Sequence, residues 1–340
     1  MLPDYMKFRF VLSLCWIALS AAASSASPAL QLVSTTSLPG ISGDLDHLAI
    51  DTAGQRLFLA AEDNGTLRVI DLKTGKLERT VKGFSTPHSI LYLPGAKELY
   101  VTDGSKSVQV LDSETFTLKR TVPTTPGADS IGVDSSQGHL FTVTGGKDVS
   151  MATSAISEID TKSAKLLREI PIDAAHVEAM ALENSGSRLF VNVTDKNYLA
   201  VIDRRSGKIT DRWPIHEAKE NAPLAFDEAH QRLFVVCRNP SKLVVLDSAT
   251  GKSIASFVTG AKADEVVYDS FHHRIYVAAG EGKIYTYQQV DPDHYTPLPA
   301  VESAPGAKTA LLAPDAARLY VSVSPGEGKT GAKLLVYQVN

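Results

Sequence analysis

Short apolar runs alternate with turn clusters along almost the whole chain, and the alternation has the period of strands, not of helices. In HLAIDTAGQRLFLAAEDNGTLRVIDLKTGKLERTV, which starts at His47, it predicts four strands at 48–51, 56–60, 67–71 and 76–81. The turns DTAGQ and DLKTGK supply Gly or Asp where the backbone needs permissive dihedrals. The same unit returns as ELYVTDGSKSVQVLDSETFTLKRTV from Glu98, RLFVNVTDKNYLAVIDRRSGKITDRW from Arg188 and RLFVVCRNPSKLVVLDSATGKSIASF from Arg232. Weaker copies start at His139, Arg274 and Arg318. The aliphatic residue that opens each second strand is Leu57, Leu99, Leu140, Leu189, Leu233, Ile275 or Leu319, which sets successive units 41 to 49 residues apart.

Seven four-strand meanders of this period predict an all-β fold, a seven-bladed β-propeller of four-stranded antiparallel blades. The longest step belongs to the third unit, whose extra residues fall at 145–155 between its second and third strands, a loop expected at the ligand face. The seventh unit ends in LLVYQVN and has only three strands, while LQLVSTTSL at 30–38 is a spare strand near the other end. Pairing the two completes the last blade and removes an open sheet edge.

An array of repeats around one axis makes a single domain over residues 27–340, even in a chain of 340 residues. Residues 1–26 have the layout of a secretory signal peptide: Lys7 and Arg9 precede an apolar run from Phe10 to Ala23, with small residues for cleavage after Ala23 or Ala26. The run is short for a membrane span, and no later segment approaches the roughly 20 apolar residues needed. Cys15 follows Leu14 and not a small residue, so it is not read as a lipid attachment site. The expected location is periplasmic or extracellular. The mature chain would keep Cys237 alone, which excludes an intramolecular disulfide and reads as a buried small hydrophobe. Cleavage after Ala26 leaves 32 basic against 37 acidic residues, a mildly acidic balance that argues against nucleic acid as a partner. The chain is expected to be a monomer.

In a propeller the innermost strand of each blade starts beside the central channel, so residues there converge from all blades. Eleven residues before each aligned aliphatic position stand Asp46, His88, Asp129, Glu178, Ala222, Asp264 and Lys308, and their neighbours add Asp44, His47, His176, Asn221 and Glu265. Two readings fit this set. Clustered carboxylates with imidazoles suit a divalent cation, Ca²⁺, Mg²⁺, Mn²⁺ or Zn²⁺, or another ligand at the mouth. The alternative is a hydrated channel lined by polar groups, with Lys308 neutralising a neighbour. Loops between second and third strands form the rest of the mouth, where Arg238 and Lys147 either meet an anionic ligand or are simply solvated. His139, His230, His272 and His273 fall at turns on the opposite face and are expected in solvent, while Trp213 and Tyr295 are expected to pack between blades. Asn64 and Asn192 match the glycosylation pattern. Phosphate loops, nucleophile elbows and compact Cys/His metal motifs do not occur.

The units ELYVTDGSKSVQVLDSETFTLKRTV and RLFVVCRNPSKLVVLDSATGKSIASF resemble the YVTN-type repeat, with its aliphatic-Tyr/Phe-Val opening and Val-Ile-Asp-x-x-Thr-Gly-Lys turn, over essentially the whole mature chain. The resemblance implies a YncE-like, secreted seven-bladed propeller. It implies a binding or interaction scaffold whose small molecule, peptide or protein partner sits at the polar channel mouth, and it selects no reaction. A weaker likeness, of position alone, links the channel to gluconolactonase-type propellers. That likeness would make Asp129, Glu178, Asn221 and Asp264 the ligands of a hydrolytic metal. A likeness to virginiamycin-lyase propellers would instead pair a metal with His88 or His176 as base.

Overall fold

A computed structural model describes residues 1, 28–105, 107–326 and 331–340. The expected signal segment, Cys15 and part of the 324–331 loop lie outside the described residues. Seven four-stranded antiparallel sheets follow one another as blades over 48–82, 87–123, 131–172, 177–214, 219–258, 263–302 and 309–339. The seventh is completed by Leu30–Ser37, which pairs with Lys333–Val339 from Leu30 opposite Val339 to Ser37 opposite Lys333. Asn340 N–H donates to Ala29 O at 3.1 Å and so continues the latch past the strand ends.

Period-2 patterning explains which strand faces what. Second strands such as Arg56–Ala61, Arg188–Val193 and Arg274–Ala279 are buried on both faces after their first residue, because each is sandwiched by two neighbouring blades. Outer strands such as Lys76–Lys82 are mostly exposed. Each apolar cluster belongs to one interface between blades. Phe58, Leu67 and Val69 of the first blade pack on Ile90, Leu99 and Val101 of the second. Leu57, Leu59 and Ile70 pack on Tyr320 and Leu334 of the seventh, which closes the ring. Trp213 lies 5.9 Å from Phe190, and Tyr295 packs on Phe234 and Phe257, between blades as expected.

The arginine that opens many second strands bolts one blade to the next. Arg56 pairs with Asp51 in its own blade and donates to Ser113 O of the second blade at 2.6 Å. Arg188, Arg232 and Arg274 donate in the same way to Ser248 O, Pro292 O and Asn340 O. Buried Arg204 pairs with Asp134 of the third blade and also donates to Glu183 O and Gly186 O.

Turn chemistry is likewise repeated. Asp71, Asp112, Asp160, Asp203 and Asp247 each accept a backbone N–H and a hydroxyl from the Thr or Ser three residues on. In DTAGQ the left-handed residue is Gln55 at φ +56°, not the glycine. Gly54 is required for a different reason: a Cβ there would collide with Asp51 Oδ2, the carboxylate oxygen that holds Arg56. The turn histidines are not simply solvated, since His139, His230 and His272 each hold a carboxylate at 2.7 Å, on Glu158, Asp227 and Asp269. Asn192 is fully buried and its amide donates to Ala222 O, which closes it to glycosylation in the folded chain. Cys237 is buried, and burial pushes its thiol up to about 12. Among the described residues no helix is long and apolar enough to cross a membrane.

Candidate functional site

Six of the seven equivalent starting positions line one cavity of about 810 Å³: Asp46, His88, Asp129, Glu178, Asp264 and Lys308. The seventh, Ala222, lines a narrower space of about 310 Å³ beneath it. The regular backbone explains the convergence. Asp46 N–H donates to Ala60 O and Asp129 N–H to Val143 O, both at 3.0 Å, so each inner strand is anchored to its second strand right where it meets the channel. The 145–149 stretch of the third blade's long loop forms part of the wall, including Lys147.

Ion pairs divide the ring into two sectors. In one, Arg238 holds Asp264 at 2.5 Å and reaches Glu178 at 3.5 Å, while His176 bonds Glu178 at 2.6 Å. Lys308 adds Asp264 at 3.2 Å and Asp44 at 3.1 Å. Burial opposes the charge of Glu178, but His176 and Arg238 override it and hold the carboxyl below its ordinary range. Burial likewise opposes the Lys308 charge, and Asp264 and Asp44 raise its pKa in spite of it.

Imidazoles supply the compensation in the other sector. His88 Nδ1 lies 2.8 Å from Asp46 and 3.9 Å from Asp129, and His47 lies 3.4 Å from Asp46 and 3.3 Å from Glu265. Burial disfavours every charge here, yet His47, His88 and Lys308 pull Asp46 down to about 2. His88 rises to about 9 against the same burial, through Asp46 and Asp129, and His47 rises well above the usual imidazole range through Asp46 and Glu265. Two carboxyls remain short of compensation. Burial, with Asp46 and Glu178 nearby, lifts Asp129 to about 6 despite His88. Burial and the Asp46 charge lift Glu62 to about 7. Burial also raises Glu265 despite its bond to His47.

Below the charged ring the channel narrows onto Ile90, Leu91, Ile131, Val133, Met180 and Leu224. The mouth therefore presents charge of both signs above an apolar floor.

Asn221 does not join this surface. It is fully buried, and its Nδ2 donates to Asn192 Oδ1 at 2.8 Å and Tyr198 O at 3.1 Å, inside the wall between the fourth and fifth blades. With Glu178 and Asp264 held by Arg238, the four residues Asp129, Glu178, Asn221 and Asp264 do not form one open donor set. Arg238 itself is not a solvated rim charge but a bridge from the fifth blade to its two neighbours. Glu62 opens the first blade's loop between second and third strands, which was expected at the channel mouth with no role for that carboxyl, and it lines the cavity.

No family model matches the chain. The uncharacterized protein YncE of Salmonella typhimurium is 23% identical over 263 residues, which cover 72% of this chain and 71% of that protein, and YncE of Salmonella typhi matches over the same extent. A chain in a crystal structure of the mitotic checkpoint complex superposes with a TM-score of 0.76 at 15% identity, covering 98% of this chain and 99% of that one. A chain of Kuenenia stuttgartiensis hydrazine synthase gives 0.72 at 17%, covering 83% and 94%. At such identities the two solved structures show the fold alone. The molecule is a seven-bladed β-propeller. Among such propellers it is similar in sequence to the YncE proteins over about seven-tenths of its length.

Proposed function

We propose that this protein is an exported binding module that receives a small dipolar ligand, one carrying a basic and an acidic group, in the mouth of its channel. The observation that supports this reading is the convergence of charged side chains of both signs from all seven blades on one cavity of about 810 Å³. A site that only needed hydration would have no use for carboxyls held against their own ionisation. The Glu62 carboxyl accepts no hydrogen bond and Lys147 forms no ion pair among the described residues, although both line the cavity. A ligand amine would satisfy the under-compensated Glu62 and Asp129 side, and a ligand carboxylate would meet Lys147, while the apolar floor takes the ligand's body. Export fits the basic residues and apolar run of segment 1–26.

The test is calorimetric titration with a panel of amino acids, simple amines and simple carboxylates. Zwitterions should bind more tightly than either half, and Lys147→Ala should lower affinity for carboxylate-bearing ligands while sparing amines. Equal weak binding of all three classes, or a Lys147→Ala protein that binds like the parent, overturns the reading.

A further inference from the structure

Three donors of metal-binding type, each from a different blade, meet on one side of the mouth. A carboxylate oxygen of Asp46, an imidazole nitrogen of His88 and a carboxylate oxygen of Asp129 all lie within 4.8 Å of one another. Donors around an ion with bonds near 2.1 Å are about 3 to 4 Å apart, so small side-chain rotations close the set. The other carboxylates at the inner-strand starts are already paired with cations. Glu178 and Asp264 are taken by Arg238, and Asp264 and Asp44 by Lys308. Asp129, by contrast, has its nearest basic nitrogen 3.9 Å away, on His88. The outer edge of His88 is kept clear by Gly104, where a Cβ would stand 3.1 Å from Nε2.

We propose that Asp46, His88 and Asp129 bind one divalent ion of intermediate hardness, Mn²⁺ or Zn²⁺. One imidazole with two carboxylates favours these ions over Ca²⁺ and Mg²⁺, which prefer shells made of oxygen. On binding, the ion takes the place of the hydrogen shared by His88 Nδ1 and Asp46 Oδ2 at 2.8 Å, and that proton passes to solvent. Three protein donors leave a coordination position for water. The inference shares Asp129 with the channel-mouth reading but stands on its own geometry.

Protein stripped with a chelator and returned to metal-free buffer is titrated with MnCl₂, ZnCl₂ and CaCl₂ by calorimetry. The visible spectrum of the Co²⁺-loaded parent reports imidazole and carboxylate coordination without recourse to any variant. The expected result is one Zn²⁺ or Mn²⁺ per chain with Ca²⁺ at least tenfold weaker. Affinity should fall at least tenfold in Asp129→Asn and in His88→Gln, and should be unchanged in His272→Gln, whose imidazole pairs with Asp269 in a turn between strands. The thermal transition of each variant verifies folding, and Asp129→Asn removes no contact to a basic nitrogen shorter than 3.9 Å. Absence of stoichiometric uptake by the parent, or parent-like binding by Asp129→Asn and His88→Gln, overturns the site. A dipolar ligand that still binds chelated protein then leaves the channel-mouth reading standing, whereas an intact metal site without ligand binding sinks that reading alone.

Discussion

Asp46 and His88, 2.8 Å apart, each hold the other in its charged form, and the consequence is a definite pH dependence. Asp46 at about 2, below its ordinary 3.8, contributes stability that is present above pH 3.8 and lost as pH falls through 2. His88 at about 9, above its ordinary 6.5, contributes stability that is full below pH 6.5 and lost as pH rises through 9. Asp129 and Glu62, raised from 3.8 to about 6 and from 4.5 to about 7, cost the fold stability as pH climbs from the ordinary value to the raised one. The melting temperature measured by scanning calorimetry should therefore decline from pH 6 to pH 9. Glu62→Gln should raise it at pH 8 by about 2 °C, the shift that roughly 1 kcal/mol produces in a chain of this size, and should have little effect at pH 4. A different residue-scale test concerns Arg204. Its removal leaves Asp134 buried without its partner, so Arg204→Ala should cost about 3–5 kcal/mol in urea unfolding. Counting back eleven residues from each second strand found six channel residues, because the period fixes where a side chain stands. It did not reveal that Arg238 bridges Glu178 and Asp264 of the blades on either side, nor that Asn221 turns into the wall, because pairing depends on side-chain rotamers that the period does not encode.

Strand and turn chemistry is where the sequence was most legible. The expected strands 48–51 and 76–81 are the observed Leu48–Asp51 and Lys76–Lys82, and the spare strand at 30–38 is Leu30–Ser37. Alternation and β-branched content are local properties, readable without the rest of the fold. The turn DTAGQ was harder, because a left-handed residue is usually sought at glycine while here Gln55 takes it and Gly54 makes room for Asp51. The Glu62 carboxyl was given no role for a related reason: the height of a loop above the channel is set by the short 3-10 turn at Glu62–Asn64, which has no strand-like pattern. The latch strand carries its own prediction. Leu30 is 1% exposed and packs with Tyr337 and Val339, so Leu30→Ala should cost about 2–4 kcal/mol, measured by urea unfolding, through the cavity it opens in the closing blade.

For the whole molecule, seven interface clusters joined in a circle mean that no blade has an independent core. Equilibrium unfolding should accordingly show one transition by both circular dichroism and tryptophan fluorescence, and two separated transitions would contradict a ring that acts as a unit. Trp213, seated between the fourth and fifth blades, is a suitable reporter. Export is checked by the intact mass of protein recovered from the producing cell's envelope or medium, which should correspond to a chain starting at Ser24 or Ser27.

The pairing of Leu30 with Val339 has one more consequence, for biosynthesis. Leu30–Ser37 precedes every other described strand in the chain, yet its partner is Lys333–Val339, the last of them. Until Lys333–Val339 has been synthesised, Leu30–Ser37 has no strand to pair with and the circle stays open, which makes ring closure a late event in folding.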